Sequence, residues 1–374
     1  MNTCCVAGSL MGAYAVCETA VTAWFRWTGR GYSEWFFEES GRTVHFDPVS
    51  GYRLTQVPSR WARITSGVVE YTGTLYGNRQ GFPHAHDYTV QRDPPDQRRI
   101  AVLGDSFTAA RFLAVNWPDR AEQELARAGH PIELMNFSVD GGGLANWWSV
   151  LTRLIGPQGY QLDGVVFTVF DNDLYRRFLF AEDRGFSSHM YGRSPGWDRA
   201  DLPGSLEDAQ PRLRSAAGSH IVSSAEFDAV LRGRRPASVP RPALRPVIAR
   251  LVWHLMLHYF HPVPLPDHWE AGQIAMMTDI RAFLEARRIP AVVIYLPSRA
   301  GLLQGAPGLE RATRDFSSRI GAEFWDGAQP FRALPPRRIR SDFFPYDAHW
   351  NQSGSDLFAT FIAPRLDEFV VAAR

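Results

Sequence analysis

The chain has 374 residues, of which 45% are apolar and 21% charged, and its formal net charge at pH 7 is +1. This composition is typical of a globular protein with one large or two average domains, and the near-neutral charge gives no field that attracts nucleic acid. The sequence contains no lysine, which excludes Schiff-base, P-loop and Ser–Lys chemistry.

The first element is an apolar stretch, residues 4–25, which is broken by Glu18 and is long enough to span a bilayer. Its three cysteines form neither a disulfide framework nor a zinc motif. Arg26 and Arg30 follow it and favour a cytoplasmic position for that flank if the stretch crosses a membrane. We therefore expect residues 1–30 to form a hydrophobic N-terminal helix that is either a membrane anchor or, in a cytoplasmic protein, a helix that packs on the protein's own domain.

Residues 31–98 are rich in glycine, proline and aromatic residues and show no long helical period. This pattern predicts short strands and loops. We interpret the segment as an N-terminal extension that lies on a larger domain, residues 99–374.

From residue 99 onward, short apolar runs alternate with segments of helical spacing. The runs predict buried strands at 99–104, 132–136, 164–170, 291–296 and 322–325. The helical spacing predicts helices at 119–129, 144–155, 246–260, 269–287, 308–320 and 352–369. This alternation predicts an α/β fold with a parallel sheet. An arginine-, proline- and serine-rich segment, about 181–270, interrupts it and is interpreted as a partly flexible insertion of helices and loops.

Four short polar motifs follow one another along the chain, each at the carboxyl end of a predicted strand or in the loop after it. They are GDSFT at 104–108, NFSVDGG at 136–142, FDND at 170–173 and DAHWN at 347–351. Because ligands bind outside the carboxyl ends of the strands in an open parallel sheet, we expect these motifs to converge on one site.

Ser106 is the candidate nucleophile of that site. It follows a strand and a Gly-Asp turn and is expected to open a helix, where free main-chain N–H groups favour an oxyanion. A serine needs a base, and His349 is the candidate, with Asp347 to hold its other ring nitrogen. Read alone, Gly-Asp-Ser also fits a simple helix cap.

Gly141 and Asn172 are the candidate donors to an oxyanion. A glycine at position 141 lets the backbone approach a bound group, and the Asn172 amide follows a buried strand. The alternative for each is an ordinary turn residue. The glycine run lacks the spacing of a dinucleotide fingerprint.

The ordered motifs resemble those of the SGNH hydrolase superfamily, the GDSL-like esterases and lipases, and in particular its bacterial members with an N-terminal hydrophobic helix. The Ser, Gly, Asn and His of that name match Ser106, Gly141, Asn172 and His349, and the likeness covers roughly residues 99–370 apart from the insertion. It implies a three-layer α/β/α flavodoxin-like fold and ester hydrolysis through an acyl-enzyme. It also implies an oxyanion hole made by the main-chain N–H groups of Ser106 and Gly141 and the Asn172 side chain.

Three positions depart from the family pattern. Phe107 replaces the usual leucine, Phe170 stands where the third motif usually has glycine, and Asp347 precedes His349 by two residues rather than three. Because of this shorter spacing, Asp342 is a second, weaker candidate for the carboxylate of the triad.

Other histidines are interpreted as structural. His254, His258 and His261 share one face of a predicted helix, and His84 and His86 stand in PHAHD, but neither set is accompanied by a known zinc motif. The sequence therefore predicts neither a metal nor a cofactor.

The predicted function is that of a serine esterase acting on a small-molecule or carbohydrate ester with a short acyl group, such as an O-acetyl group. Three alternatives remain: an O-acyltransferase that uses the same triad, a non-catalytic binding protein of the same fold, and an enzyme with a phosphodiesterase-like or lipase-like pocket, since the aromatic-rich N-terminal region leaves long acyl chains open. Comparing ester hydrolysis with acyl transfer to an added sugar distinguishes an esterase from an acyltransferase. Failure of a fluorophosphonate probe to label Ser106 would favour the non-catalytic binding protein.

Overall fold

A computed structural model describes most of the chain. The described residues are 9, 11–21, 23, 34–39, 43–65, 68–184, 187–215, 219–234, 236, 268–347 and 349–372. The predicted helix at 246–260 and the histidines His254, His258 and His261 lie outside them.

The described residues contain fourteen strands. In the N-terminal extension they are β1 Glu34–Glu38, β2 Val44–Asp47, β3 Gly51–Leu54, β4 Ser59–Thr65 and β5 Val68–Leu75. The next three are β6 Arg98–Leu103, β7 Ile132–Asn136 and β8 Gly164–Phe170. The insertion contributes β9 Leu179–Arg184, β10 Ser187–Arg193, β11 Arg214–Ser215 and β12 Ser219–Ile221, and the chain continues with β13 Ala291–Leu296 and β14 Glu323–Asp326.

Helices connect the strands that follow the extension. The longer ones are Trp117–Arg127, Leu144–Ser149 with its π-helical continuation Val150–Ile155 and the turn Gly156–Gln158, Ser224–Leu231, Ala271–Arg287, Pro307–Ile320 and Gln352–Ala372. The short ones are Ser106–Ala109, Leu206–Ala209, Arg299–Gln304, Gln329–Arg332 and Pro336–Ser341, with 3-10 turns at Asp173–Tyr175, Arg199–Asp201 and Gln210–Arg212.

The central sheet is five-stranded, with the order β14-β13-β8-β6-β7 and every neighbouring pair parallel. Numbered along the chain, its strands therefore run 2-1-3-4-5, which is the flavodoxin-like order. Strands β7, β8 and β13 are buried along their whole length, as their unbroken apolar runs predict. The strand order reverses between β6 and β8, and this is the point at which such sheets bind ligands.

Helices cover both faces of this sheet. Alternate residues of each strand point to opposite faces, so that Phe167 packs against Trp147 and Phe316 while Val166 joins Trp117 and Phe358 on the other side. The predicted α/β fold in three layers is confirmed.

The N-terminal extension and the insertion share a second sheet, of order β12-β1-β4-β5. Strand β12 pairs in parallel with β1, and β1 pairs antiparallel with β4. The sequence predicted the short strands of the extension but not this pairing. Strands β9, β10 and β11 form a further sheet, so the described part of the insertion is more regular than the loops expected there.

Near the N-terminus, residues 11–21 are helical and largely exposed, while the other parts of the apolar stretch 4–25 lie mostly outside the described residues. No helix among the described residues is long and apolar enough to cross a membrane.

Candidate functional site

Ser106 lies at the carboxyl edge of β6 and is the first residue of the short helix Ser106–Ala109. The Asp105 side chain caps this helix by accepting the Phe107 N–H at 2.9 Å. Gly104 allows β6 and β8 to approach, because a Cβ at this position would lie 2.2 Å from the Thr168 hydroxyl oxygen. The capping role thus falls to Asp105, and the Ser106 hydroxyl remains available for another partner.

That partner is His349. Its Nε2 lies 2.7 Å from Ser106 Oγ, and its Nδ1 lies 2.5 Å from Asp347 Oδ1. Because a carboxylate only accepts hydrogen bonds, Nδ1 carries the proton and Nε2 can accept the serine proton. The structure therefore brings the three predicted residues into one hydrogen-bonded chain of the Ser-His-Asp kind.

The two-residue spacing between Asp347 and His349 is compatible with the triad because the Asp347 side chain bonds to its own loop. Its Oδ1 accepts the main-chain N–H of His349 at 3.1 Å as well as the ring Nδ1–H. This is the bond that aspartate makes to the backbone two residues further on in an Asx turn. Asp342, the weaker candidate, instead accepts the Ser353 hydroxyl at 2.8 Å.

The other oxygen of Asp347 is held by the N-terminal extension. Tyr71 on β5 donates its hydroxyl to Oδ2 at 3.0 Å, and Arg63 on β4 forms an ion pair with the same oxygen. Glu70 accepts the Asp347 N–H at 2.8 Å and lies 3.5 Å from Arg63 Nε. Since all of these side chains are buried, the extension fixes the position of the carboxylate that orients His349.

Aromatic rings surround the His349 imidazole. The ring centroids of Phe107 and Phe112 lie 4.7 and 4.6 Å from it, and Phe107 stacks on Phe170 at 3.8 Å. Two of the three departures from the family pattern, Phe107 and Phe170, therefore pack against each other. Burial, together with the positive charges of Arg63 and Arg176, lowers the pKa of His349 from 6.5 to about 4.

Arg176 connects the loops that follow three central strands. Its guanidinium lies 3.2 Å from Asp105 after β6, donates to the Gly142 carbonyl after β7 at 3.2 Å, and pairs with Asp173 after β8 at 2.6 Å. Burial raises the pKa of Asp173 well above its usual range, against the effect of Arg176. Planar guanidinium groups suit such multiple contacts, so Arg176 holds these motifs together.

The same arginine orients Asn172. Its Nε donates to Asn172 Oδ1 at 2.8 Å, so the NH₂ end of this amide is the end left to donate.

Gly141 lies in the loop after β7 with φ +75°, a conformation that favours glycine. Tyr52 on β3 donates its hydroxyl to the Asp140 carbonyl at 3.2 Å. In a trans peptide the N–H points away from the C=O, so this bond from the extension also fixes the direction of the Gly141 N–H.

Two cavities adjoin these candidate donors. One of about 590 Å³ is lined by Asn172, Arg176 and the insertion, and another of about 450 Å³ is lined by Gly141, Arg212 and Arg214. Arg193 lines both and donates to the Gly141 carbonyl at 2.9 Å. Nothing in the described part of the chain places a carboxylate within ion-pair distance of Arg193, Arg212 or Arg214, so the cavities carry excess positive charge.

No protein-family model and no curated protein matches the chain. Among solved structures, the lipase Lip_vut3 from a goat rumen metagenome is 11% identical, with a TM-score of 0.36 and coverage of 73% of this chain and 98% of that one. AlinE4, an SGNH-hydrolase family esterase, is 13% identical, with a TM-score of 0.32 and coverage of 73% and 96%. A GDSL-like lipase from Bacteroides thetaiotaomicron is 8% identical, with a TM-score of 0.35 and coverage of 75% and 92%.

The last two of these solved structures are described as members of the family that the four motifs resemble. At such low identity they carry no argument about the reaction, and the flavodoxin-like assignment rests on the strand order of the central sheet.

Reasoning from the sequence missed several residues of the site. Arg63, Glu70 and Tyr71 give no local signal, because about 276 residues separate them from Asp347 and only tertiary pairing brings them together. Arg176 does carry a signal, since it follows Asn172 by four residues, a spacing at which side chains meet on a helix or tight turn.

The lowered pKa of His349 predicts an unusual pH profile. The neutral imidazole is the base, so kcat/KM should stay level as the pH falls through 6.5 and should decline only on approach to about 4. Initial rates on a neutral ester, with circular dichroism at each pH to verify folding, measure this. A decline centred near 6.5 in a folded protein would contradict it.

The contact of Tyr71 with Asp347 predicts the effect of Tyr71→Phe. Because a hydrogen bond to a charged group contributes about 1.5–3 kcal/mol, we expect kcat to fall roughly 10- to 150-fold with KM little changed. A less stabilised Asp347 should also raise the pKa of His349 and move the acid limb to higher pH. Tyr76→Phe, at an exposed tyrosine just after β5, is the control. If the acid limb of the pH profile is unchanged in Tyr71→Phe, Tyr71 contributes packing only and does not act through Asp347 and His349.

Proposed function

We propose that the chain is a serine esterase of the SGNH type that hydrolyses a carboxylic ester. The observation that carries this proposal is the hydrogen-bonded chain from Ser106 Oγ through His349 to Asp347, at the carboxyl edge of the central sheet. Its position beside β6 and β8 is the binding crevice of a flavodoxin-like sheet. If these residues only stabilised the fold through ion pairs, a serine hydroxyl facing a neutral imidazole would not be needed.

In the proposed reaction, Ser106 Oγ attacks the ester carbonyl carbon while His349 Nε2 takes its proton. The N–H groups of Ser106 and Gly141 and the Asn172 amide donate to the oxyanion that forms. His349 then gives the proton to the leaving alcohol oxygen, and Asp347 stabilises the imidazolium throughout. A water molecule, activated by the same base, releases the acid from the acyl-enzyme.

We also propose that the substrate is polar, with a short acyl group such as acetyl on a carbohydrate. The support is the presence of Arg193, Arg212 and Arg214 in the walls of the two cavities beside Gly141 and Asn172. Their excess positive charge, from Arg193, Arg212 and Arg214, favours a carbohydrate that carries carboxylate groups.

Replacing the nucleophile tests the central proposal. Ser106→Ala should abolish turnover of p-nitrophenyl acetate and labelling by a fluorophosphonate probe, because no other group in the proposed mechanism can form the acyl-enzyme. The circular dichroism spectrum and Tm should be close to those of the unmodified protein. Activity at the unmodified level in Ser106→Ala would refute the proposal.

Replacing one cavity arginine tests the charge preference. Arg214 donates to the carbonyls of Pro211 and Leu213 and to no described carboxylate, so Arg214→Gln removes charge with little loss of structure. We expect KM for an acetylated uronic acid oligomer to rise about two- to fivefold, because an exposed charge pair contributes about 0.2–1 kcal/mol. Kinetics on p-nitrophenyl acetate should not change, and Arg281→Gln, on an exposed helix, serves as the matched control. Equal effects on the charged and neutral esters would argue against an anionic substrate.

A further inference from the structure

A second cluster of chemically active side chains lies outside the candidate active site. His84 and His86, in the loop before β6, face Asp119 and Glu122 on the helix Trp117–Arg127. His84 Nε2 lies 2.9 Å from Asp119 Oδ1 and 3.6 Å from Glu122 Oε2, and His86 Nε2 lies 3.0 Å from Glu122 Oε1. One ligand atom from each of His84, His86 and Glu122 can be chosen so that all three lie within 4.8 Å of one another.

The state of His84 points to a ligand. Its side chain is fully buried, its Nε2 faces the carboxylates of Asp119 and Glu122, and its Nδ1 makes no hydrogen bond. A neutral imidazole between two carboxylates offers a lone pair to a cation, and the cation in turn balances the buried negative charge. Asp119 Oδ1, the nearest carboxylate oxygen, is buried and lacks a hydrogen bond as well.

Other contacts hold these side chains in place. Glu122 Oε2 accepts the Leu134 N–H at 2.9 Å, which fixes one carboxylate. Glu133 lies 3.8 Å from His86 Nδ1, but its charge is balanced by Arg99 at 2.6 Å, so it is an outer partner rather than a ligand. Metal-binding histidines commonly have outer partners of this kind.

The donor set selects the metal. Two imidazoles with two carboxylates suit zinc and similar transition metals, whereas calcium and magnesium prefer oxygen donors alone. Ligand atoms about 2.0–2.1 Å from a tetrahedral zinc ion lie about 3.3 Å apart, and the distances from His84 Nε2 to the two carboxylates fall on either side of this value.

We propose that His84, His86 and Glu122 form a zinc site, with Asp119 beside His84 as the nearest further carboxylate. Three protein ligands leave the fourth tetrahedral position of zinc to a further ligand. The site joins a loop of the N-terminal region to a helix of the central domain.

The position of the site connects it to the nucleophile. Pro83, next to His84, accepts hydrogen bonds from the side chains of Asn116 at 3.1 Å and Asn136 at 3.2 Å. Asn136 also donates to the carbonyl of Thr108, two residues after Ser106, at 3.1 Å. A metal at His84 therefore stabilises the loop that supports the short helix bearing Ser106.

Direct metal binding by the full chain tests this proposal, and the readout does not depend on esterase activity. The protein is stripped with EDTA, titrated with zinc against a competing chelator, and analysed for bound metal by mass spectrometry. We expect one equivalent of tightly bound zinc and a higher Tm, with no such shift from calcium or magnesium. Failure of the unmodified protein to retain about one equivalent would overturn the proposal whether or not the protein is an esterase.

Two variants locate the site. His86 is exposed, so His86→Ala should fold. Loss of an outer partner of a metal ligand weakens binding about 10- to 100-fold, and loss of His86 as a ligand should weaken zinc binding by more than that. His130→Ala is the matched control, since His130 is also exposed and paired with one carboxylate, Asp367, but lies outside the cluster. Glu122→Gln gives a second test if His86→Ala does not fold. Zinc binding by a folded variant at the unmodified strength would place the metal elsewhere and refute this site.

Discussion

The candidate site depends on how one carboxylate is held. One oxygen of Asp347 accepts a hydrogen bond from His349, which belongs to the same loop. The other oxygen accepts a hydrogen bond from Tyr71 and forms an ion pair with Arg63, both in the N-terminal extension. A buried charge is tolerated only when it is paired and its remaining lone pairs accept hydrogen bonds, so this arrangement allows Asp347 to be ionised inside the protein. The extension also fixes the peptide of Gly141 through Tyr52, and it is therefore part of the site rather than an appendage.

Two kinds of environment meet at the site. On one side, aromatic rings remove water from the imidazole of His349 and keep it neutral. On the other side, Arg176 holds in place the loops that would surround a developing oxyanion. A neutral base beside preorganised hydrogen-bond donors is the combination that acyl transfer from an ester requires.

Much of the fold could be predicted from the sequence, because the central strands are buried on both faces. The strands 132–136, 164–170 and 291–296 have the predicted bounds, and the helix predicted at 119–129 lies at Trp117–Arg127. The order of the four motifs also predicted that they would meet at one sheet edge. The sequence could not indicate which distant side chains would support them, since the pairing of β1 with β4 and β12 has no signature in any single segment. For the same reason the histidines of PHAHD are interpreted as structural from the sequence, until the fold places Asp119 and Glu122 opposite them.

The pairing of β1 with β12 affects the order in which the protein can mature. Strand β1 can complete its pairing only after residues 219–221 have been synthesised, and Tyr71 can bond only to a carboxylate 276 positions further along the chain. Contacts of such long sequence separation form late, because the entropy of closing the intervening loop must be overcome first. A chain emerging from the ribosome thus carries its nucleophile well before the residues that activate it, and the complete hydrogen-bonded chain can form only after nearly all of the polypeptide has been synthesised.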